Sequence, residues 1–189
     1  MTAGPTTDDA TARRWIEEHR AGVPAAEALA FFDGLPAVPA DAMLGRWRGS
    51  ELRTGSALDG LLEAYGWYGK EFLDTESVHP LLFRDSAGRP RPVAPALVPM
   101  GLLRARPDLV QRRPVVSAFA ALRPALFTSR PKARLRAVEH RGVVTAAMVY
   151  DALPIIDVFR RIDGDRVLGL MDMRGLPDPF LFLLERDAG

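Results

Sequence analysis

The chain of 189 residues contains no cysteine, which excludes a disulfide framework, a thiolate metal site and a cysteine nucleophile. Nothing in it requires an oxidising compartment. Histidine is nearly as scarce, with His19, His79 and His140 widely spaced, so neither a metal site nor a cofactor is expected. There is no Gly-rich phosphate loop, no Gly-x-Ser-x-Gly elbow and no His-Glu-x-x-His helix, so the strong signatures of nucleotide binding, serine hydrolysis and zinc proteolysis are missing. No apolar run approaches the ~20 residues of a membrane-spanning helix. Met1 to Asp9 is polar and acidic where a secretory signal is basic and then apolar. A cytoplasmic location is the expectation.

What is present is an apolar content of 48%, enough to bury a core within one domain. The formal net charge of +1 conceals an uneven distribution: residues 1–83 carry −6, residues 84–141 carry +10 and the remainder −3. The basic segment Arg84–Arg141 suits peripheral contact with an anionic membrane, or it neutralises the acidic remainder of its own fold. Salt-dependent binding to any polyanion would mark an interaction module instead. A nucleic-acid partner is not expected.

Thr7-Asp8-Asp9 supplies a cap and an acidic first turn ahead of Ala12, Trp15, Ile16 and His19, which recur at helical spacing. A second helix from Pro24 buries Leu29 and Phe32 and stops at Asp33-Gly34. Residues 1–34 thus form a helical arm, and 35–189 form a single β-barrel-like domain. Ala42 to Leu52 reads as a strand. Ser56-x-x-Asp59 opens a helix with Leu58, Leu61, Leu62 and Tyr65 on one side, ended by Gly66 and Gly69. Residues 84–114, rich in Pro and Arg, read as loops with an edge strand Val93 to Val98. Pro114 starts a short helix with Val115, Val116, Phe119 and Leu122 inward.

From Lys132 onward the pattern is of strands. A two-residue loop at Arg141-Gly142 pairs His140 with Val143, Leu135 with Met148 and Ala133 with Tyr150. One face then reads Ala133, Leu135, Ala137, Val144, Ala146, Met148 and Tyr150, apolar but small; such a face leaves room for a ligand or for a packed helix. Asp163-Gly164 suits a two-residue type I′ turn. That register places Ile155, Asp157, Phe159, Leu168, Leu170 and Asp172 on one face, with the two carboxylates as diagonal neighbours. Phe180 to Arg186 closes the meander. The fold class is α+β: an antiparallel barrel-like sheet with N-terminal helices and a short helix covering the barrel.

Leu44-Gly45-Arg46-Trp47-Arg48-Gly49 carries Gly-x-Trp-x-Gly, followed by Leu58-Asp59-Gly60-Leu61-Leu62, Gly66-Trp67-Tyr68-Gly69-Lys70 and Val78-His79-Pro80-Leu81-Leu82-Phe83. These residues resemble the GXWXG-motif family of bacterial proteins. Leu153-Pro154-Ile155-Ile156-Asp157, Phe159-Arg160-Arg161 and Leu168-Gly169-Leu170-Met171-Asp172 resemble the companion domain of unknown function usually fused to it. The resemblance spans roughly residues 30–186. It carries over no catalytic set, and in outline its Gly-x-Trp is shared with lipocalins. On a strand, Gly45, Trp47 and Gly49 share one face, so the indole lies between two residues without side chains and spreads across the end of a barrel.

The expected function is binding of a small hydrophobic or amphiphilic molecule, including an anionic lipid, in an internal apolar cavity. Trp47, His79, Leu135, Met148, Phe159 and Leu170 are the candidate lining residues. The alternative is an isomerase, cyclase or hydratase acting on an apolar substrate. Asp157, Asp172 and Tyr150 would be its catalytic groups, since carboxylates facing an apolar cavity are desolvated and rise toward acid–base use. His19 and His140 are expected at the surface.

Overall fold

The computed structural model describes residues 7–95, 107–176 and 180–188. Asp8 accepts hydrogen bonds from the backbone N–H groups of Ala10 and Thr11, satisfying donors that an uncapped terminus would leave unpaired. Helix α1 (Asp9–Glu18) starts there, and α2 (Ala25–Gly34) follows Pro24. Between them Trp15 stacks on Phe31 at 3.8 Å. Ala12, Ile16, Ala28 and Phe32 then pack on the outside of the sheet, against Val158, Ile162, Leu168, Leu170 and Leu181.

A 3-10 turn at Ala40–Met43 precedes β1 (Gly45–Leu52). The strand therefore begins at Gly45 rather than at Ala42. Then come α3 (Leu61–Ala64), β2 (Trp67–Phe72), β3 (Val78–Arg84) and β4 (Pro90–Pro92). Val93 makes only an isolated bridge to Phe127, and the rest of the edge strand expected up to Val98 falls largely outside the described residues. After α4 (Pro107–Val110) and α5 (Arg113–Leu126) the chain runs through β5 (Ala133–His140), β6 (Val143–Tyr150), β7 (Ile155–Arg161), β8 (Arg166–Met173) and β9 (Phe180–Arg186).

All pairings are antiparallel, in the order β2-β1-β9-β8-β7-β6-β5-β3-β4, and β2 also pairs with β3. That last pairing closes eight of the described strands into a barrel, with β4 as a flap on β3. Closure leaves no free edge along most of the wall. The seam is thin between β3 and β5, whose one register pair is Val78 with Ala133.

The barrel is filled mainly by aromatic rings. Trp47, Trp67, Phe72, Phe159, Phe180 and Phe182 belong to one buried cluster. Glycines on neighbouring strands make the space: a methyl group at Gly49 would lie 2.2 Å from the Trp67 indole, and one at Gly169 would lie 2.4 Å from the Phe182 ring. One end is closed by the 35–44 segment. Here Val38 N–H donates to Thr145 Oγ1 at 2.9 Å, and Trp47 Nε1 donates to the Met43 carbonyl at 2.7 Å. The opposite end is covered by α3 and α5, with Phe119 edge-on to Tyr65 and Phe83. Only part of the expected inner face of α5 is inward. Val115 and Leu122 are exposed, Leu122 by 63%, because the helix lies across the barrel mouth and touches it through Phe119 and Leu126.

Candidate functional site

In the middle of the barrel Lys70 Nζ and Asp157 Oδ2 form an ion pair at 2.7 Å, with both side chains almost fully buried. Lys70 also donates to the Pro80 carbonyl at 3.1 Å. Its ammonium sits among aromatic rings, 4.9 Å from the Phe182 centroid, 5.5 Å from Trp67 and 5.9 Å from Tyr150, a geometry that favours a cation. Two polar atoms here find no protein partner: Asp157 Oδ1 and Trp67 Nε1.

Local structure explains why these groups converge. Register pairs Trp47 with Lys70 across β1 and β2, and Met148 with Asp157 across β6 and β7, so all four side chains point inward. Simple alternation would send Trp67 and Lys70 to opposite faces. The pairing of β2 with β3 is irregular on both sides of Gly69, and this bulge turns both inward. Gly69 has φ 149°, and a Cβ there would meet the Trp47 carbonyl oxygen at 1.9 Å; only glycine fits.

Burial raises the Asp157 carboxyl above its usual range, and the Lys70 charge and hydrogen bond oppose that rise. Burial also pushes the Tyr150 phenol well up, helped by the charge of Asp157. The phenol is therefore a neutral hydrogen-bonding group. The chemistry on offer is a paired cation and anion, a phenol and an indole N–H, enclosed by rings.

Of the residues expected at the site, Trp47, Leu135, Met148, Tyr150, Asp157 and Phe159 lie on the inner face. Trp47 forms the floor, 1% exposed, with the Arg186 guanidinium 4.3 Å above its ring. The Arg141-Gly142 hairpin has the expected register, Ala133 opposite Tyr150 through His140 opposite Val143. Ala137 and Val144 continue that face beyond the wall into solvent.

The second hairpin has a different register. Phe159 lies opposite Gly169 and Ile156 opposite Asp172, because Ile162 N–H bonds to the Arg166 carbonyl around a three-residue loop. The Asp163 side chain turns that loop by accepting from Asp165 N–H. Shifting the pairing by one residue reverses every side chain of one strand. Asp172 is thus on the outer face, 3.8 Å from His140 Nε2, and Leu170 packs outward under the N-terminal helices. The carboxylate pair Asp157–Asp172 does not exist. His79 also lies outside the barrel lumen, opposite Glu71 on the other face from Val78 and Phe72. It is buried nonetheless, with Nδ1 unpartnered, and burial lowers its pKa against the pull of Glu71. His140 is half-buried rather than free at the surface, and so is His19.

Sequence reasoning missed Lys70, Trp67 and Phe182. Lys70 and Trp67 sit in the quoted Gly66-Trp67-Tyr68-Gly69-Lys70 run, read there as a helix stop. Its signal is a lysine among aromatic residues beside a glycine-permitted bulge.

The closed antiparallel barrel, the Gly-x-Trp strand at its base and the covering helix define a calycin-like fold. The GXWXG protein family model matches residues 30–88, and Domain of unknown function (DUF4334) matches residues 131–186. The chain belongs to this family, in which the two are fused. Neither matched segment closes a barrel alone, since β1 pairs with β9 and β3 with β5. Over 93% of its length the chain is similar to the crystal structure of a protein from Thermomonospora curvata, at 35% identity and a TM-score of 0.69, covering 98% of that chain. No curated protein matches.

Proposed function

We propose that the barrel binds a small, largely apolar molecule whose single polar group is held beside Lys70 and Asp157. The supporting observation is the buried ion pair itself, ringed by aromatic side chains and retaining an unpartnered carboxylate oxygen. Burying two charges is no better for stability than apolar residues of similar volume, so a site of this kind points to recognition. An eight-stranded barrel is wide enough for side chains alone or for one small ligand; here aromatic rings fill the interior in place of the expected open cavity, so a ligand would enter by displacing them. Because Lys70 and Asp157 cancel, the bound polar group is neutral. An anionic lipid head would belong outside, at α5, which carries Arg112, Arg113 and Arg123 on or beside it and no acid from Leu109 to Leu126.

Native mass spectrometry of freshly purified protein should reveal a retained small molecule. The double variant Lys70→Met with Asp157→Leu should fold and lose it. Retention by the double variant would move the site elsewhere. The second reading, catalysis on the bound molecule, rests on Asp157 and Tyr150 alone now that Asp172 lies outside. A ligand recovered chemically altered would favour it.

A further inference from the structure

We infer that the polar group received at Lys70 and Asp157 is a hydroxyl, so that the ligand is a neutral alcohol or phenol; this rests on the proposed binding role. Asp157 Oδ1 and Trp67 Nε1 both lack a protein partner, and both belong to side chains packed around the same ammonium. Buried polar atoms are almost always paired, and leaving one unpaired is costly. These two need opposite things. A carboxylate oxygen accepts, whereas an indole N–H only donates.

A hydroxyl is the smallest organic group that does both. A ketone or an ether would satisfy the indole but set lone pairs against Oδ1. A carboxylate would add a second negative charge where Asp157 already neutralises Lys70, in surroundings that screen charge poorly. An ammonium would meet Lys70.

The test is calorimetric titration of the full-length protein with two matched sets. One is decan-2-ol, decan-2-one and decanoic acid; the other is menthol, menthone and menthyl methyl ether. In whichever skeleton binds, the alcohol should bind about tenfold tighter than its partners, the discrimination expected of one well-made hydrogen bond. Trp67→Phe removes the indole donor and should weaken alcohol and ketone together, leaving their ratio intact. Lys70→Met with Asp157→Asn keeps the site's shape without charge and adds an amide N–H that a ketone can use, so the alcohol preference should collapse toward unity. A ketone, ether or acid binding wild-type protein as tightly as its alcohol overturns the hydroxyl assignment and leaves the binding role intact. A folded protein that binds neither set counts against both.

Discussion

At the scale of single residues, the two halves of the Lys70–Asp157 pair are unequal to their sum. Removing either partner leaves an uncompensated charge in an apolar interior, which costs about 3–5 kcal/mol, whereas exchanging both for apolar groups is often neutral. Lys70→Met or Asp157→Asn alone should therefore lower the urea midpoint far more than Lys70→Met with Asp157→Leu. Equal losses in singles and double would mean that the pair is not electrostatically isolated. Trp47→Ala should cost on the order of 3–5 kcal/mol as a large-to-small core change, since it also removes the bond to Met43 and the surface under Arg186. Trp47 was legible because its flanking glycines mark the motif. Asp157 was legible as a carboxylate in an apolar strand. Its partner was not, because Gly66 and Gly69 read as a helix stop where the chain forms a strand, and on that strand a bulge at Gly69 overrides the alternation by which faces are assigned.

At the scale of elements, the two hairpins show what turn chemistry decides. At Arg141-Gly142 both residues take positive φ, 51° and 76°, and the two-residue turn sets the register. Asp163-Gly164 carries the stronger sequence signal, yet Gly164 is not in the left-handed region, and the Asp163 side chain instead bonds Asp165 N–H. Hydrophobic pattern gave no warning. Val167 to Met171 is apolar on both faces, because one lines the barrel and the other meets α1 and α2, and alternation identifies a face only when the other is wet. The core should therefore hold this register against the turn. Asp163→Asn, which creates the Asn-Gly pair favoured in two-residue type I′ turns and removes the carboxylate that pairs with Arg166, should lower the thermal midpoint while Asp157 stays paired with Lys70. A stable variant with Asp157 turned outward would show that the turn dominates. The strand meander and the N-terminal helices followed from capping residues and periodicity. Closure did not, since it depends on the pairings of β1 with β9 and of β3 with β5, which are distant in sequence.

At the scale of the whole molecule, charge is distributed asymmetrically. Part of the basic segment is satisfied internally: Arg89 pairs with Asp85, Arg134 with Asp151, Arg136 with Glu76 and Arg141 with Asp33. Arg112, Arg113 and Arg123 lie on or beside α5, whose outer face exposes Val115 and Leu122. A helix lying over the mouth of the barrel, with arginines beside exposed apolar side chains, has the chemistry to rest on an anionic bilayer, and under the proposed binding role an apolar ligand would pass there between lipid and barrel. None of the described helices is long and apolar enough to cross a membrane, so such contact through a helix would be peripheral. Vesicles containing phosphatidylserine should then co-sediment the protein and pure phosphatidylcholine vesicles should not. Raising salt from ~0.1 M to ~1 M shortens the screening length from about 10 Å to about 3 Å and should release it. Leu122→Glu should weaken the association without altering the thermal midpoint, because the residue is mostly exposed and makes little contact with the core. Equal binding to both vesicle types, or to neither, would make the basic segment a counterweight to the acidic remainder of the fold and leave ligand entry to occur from water.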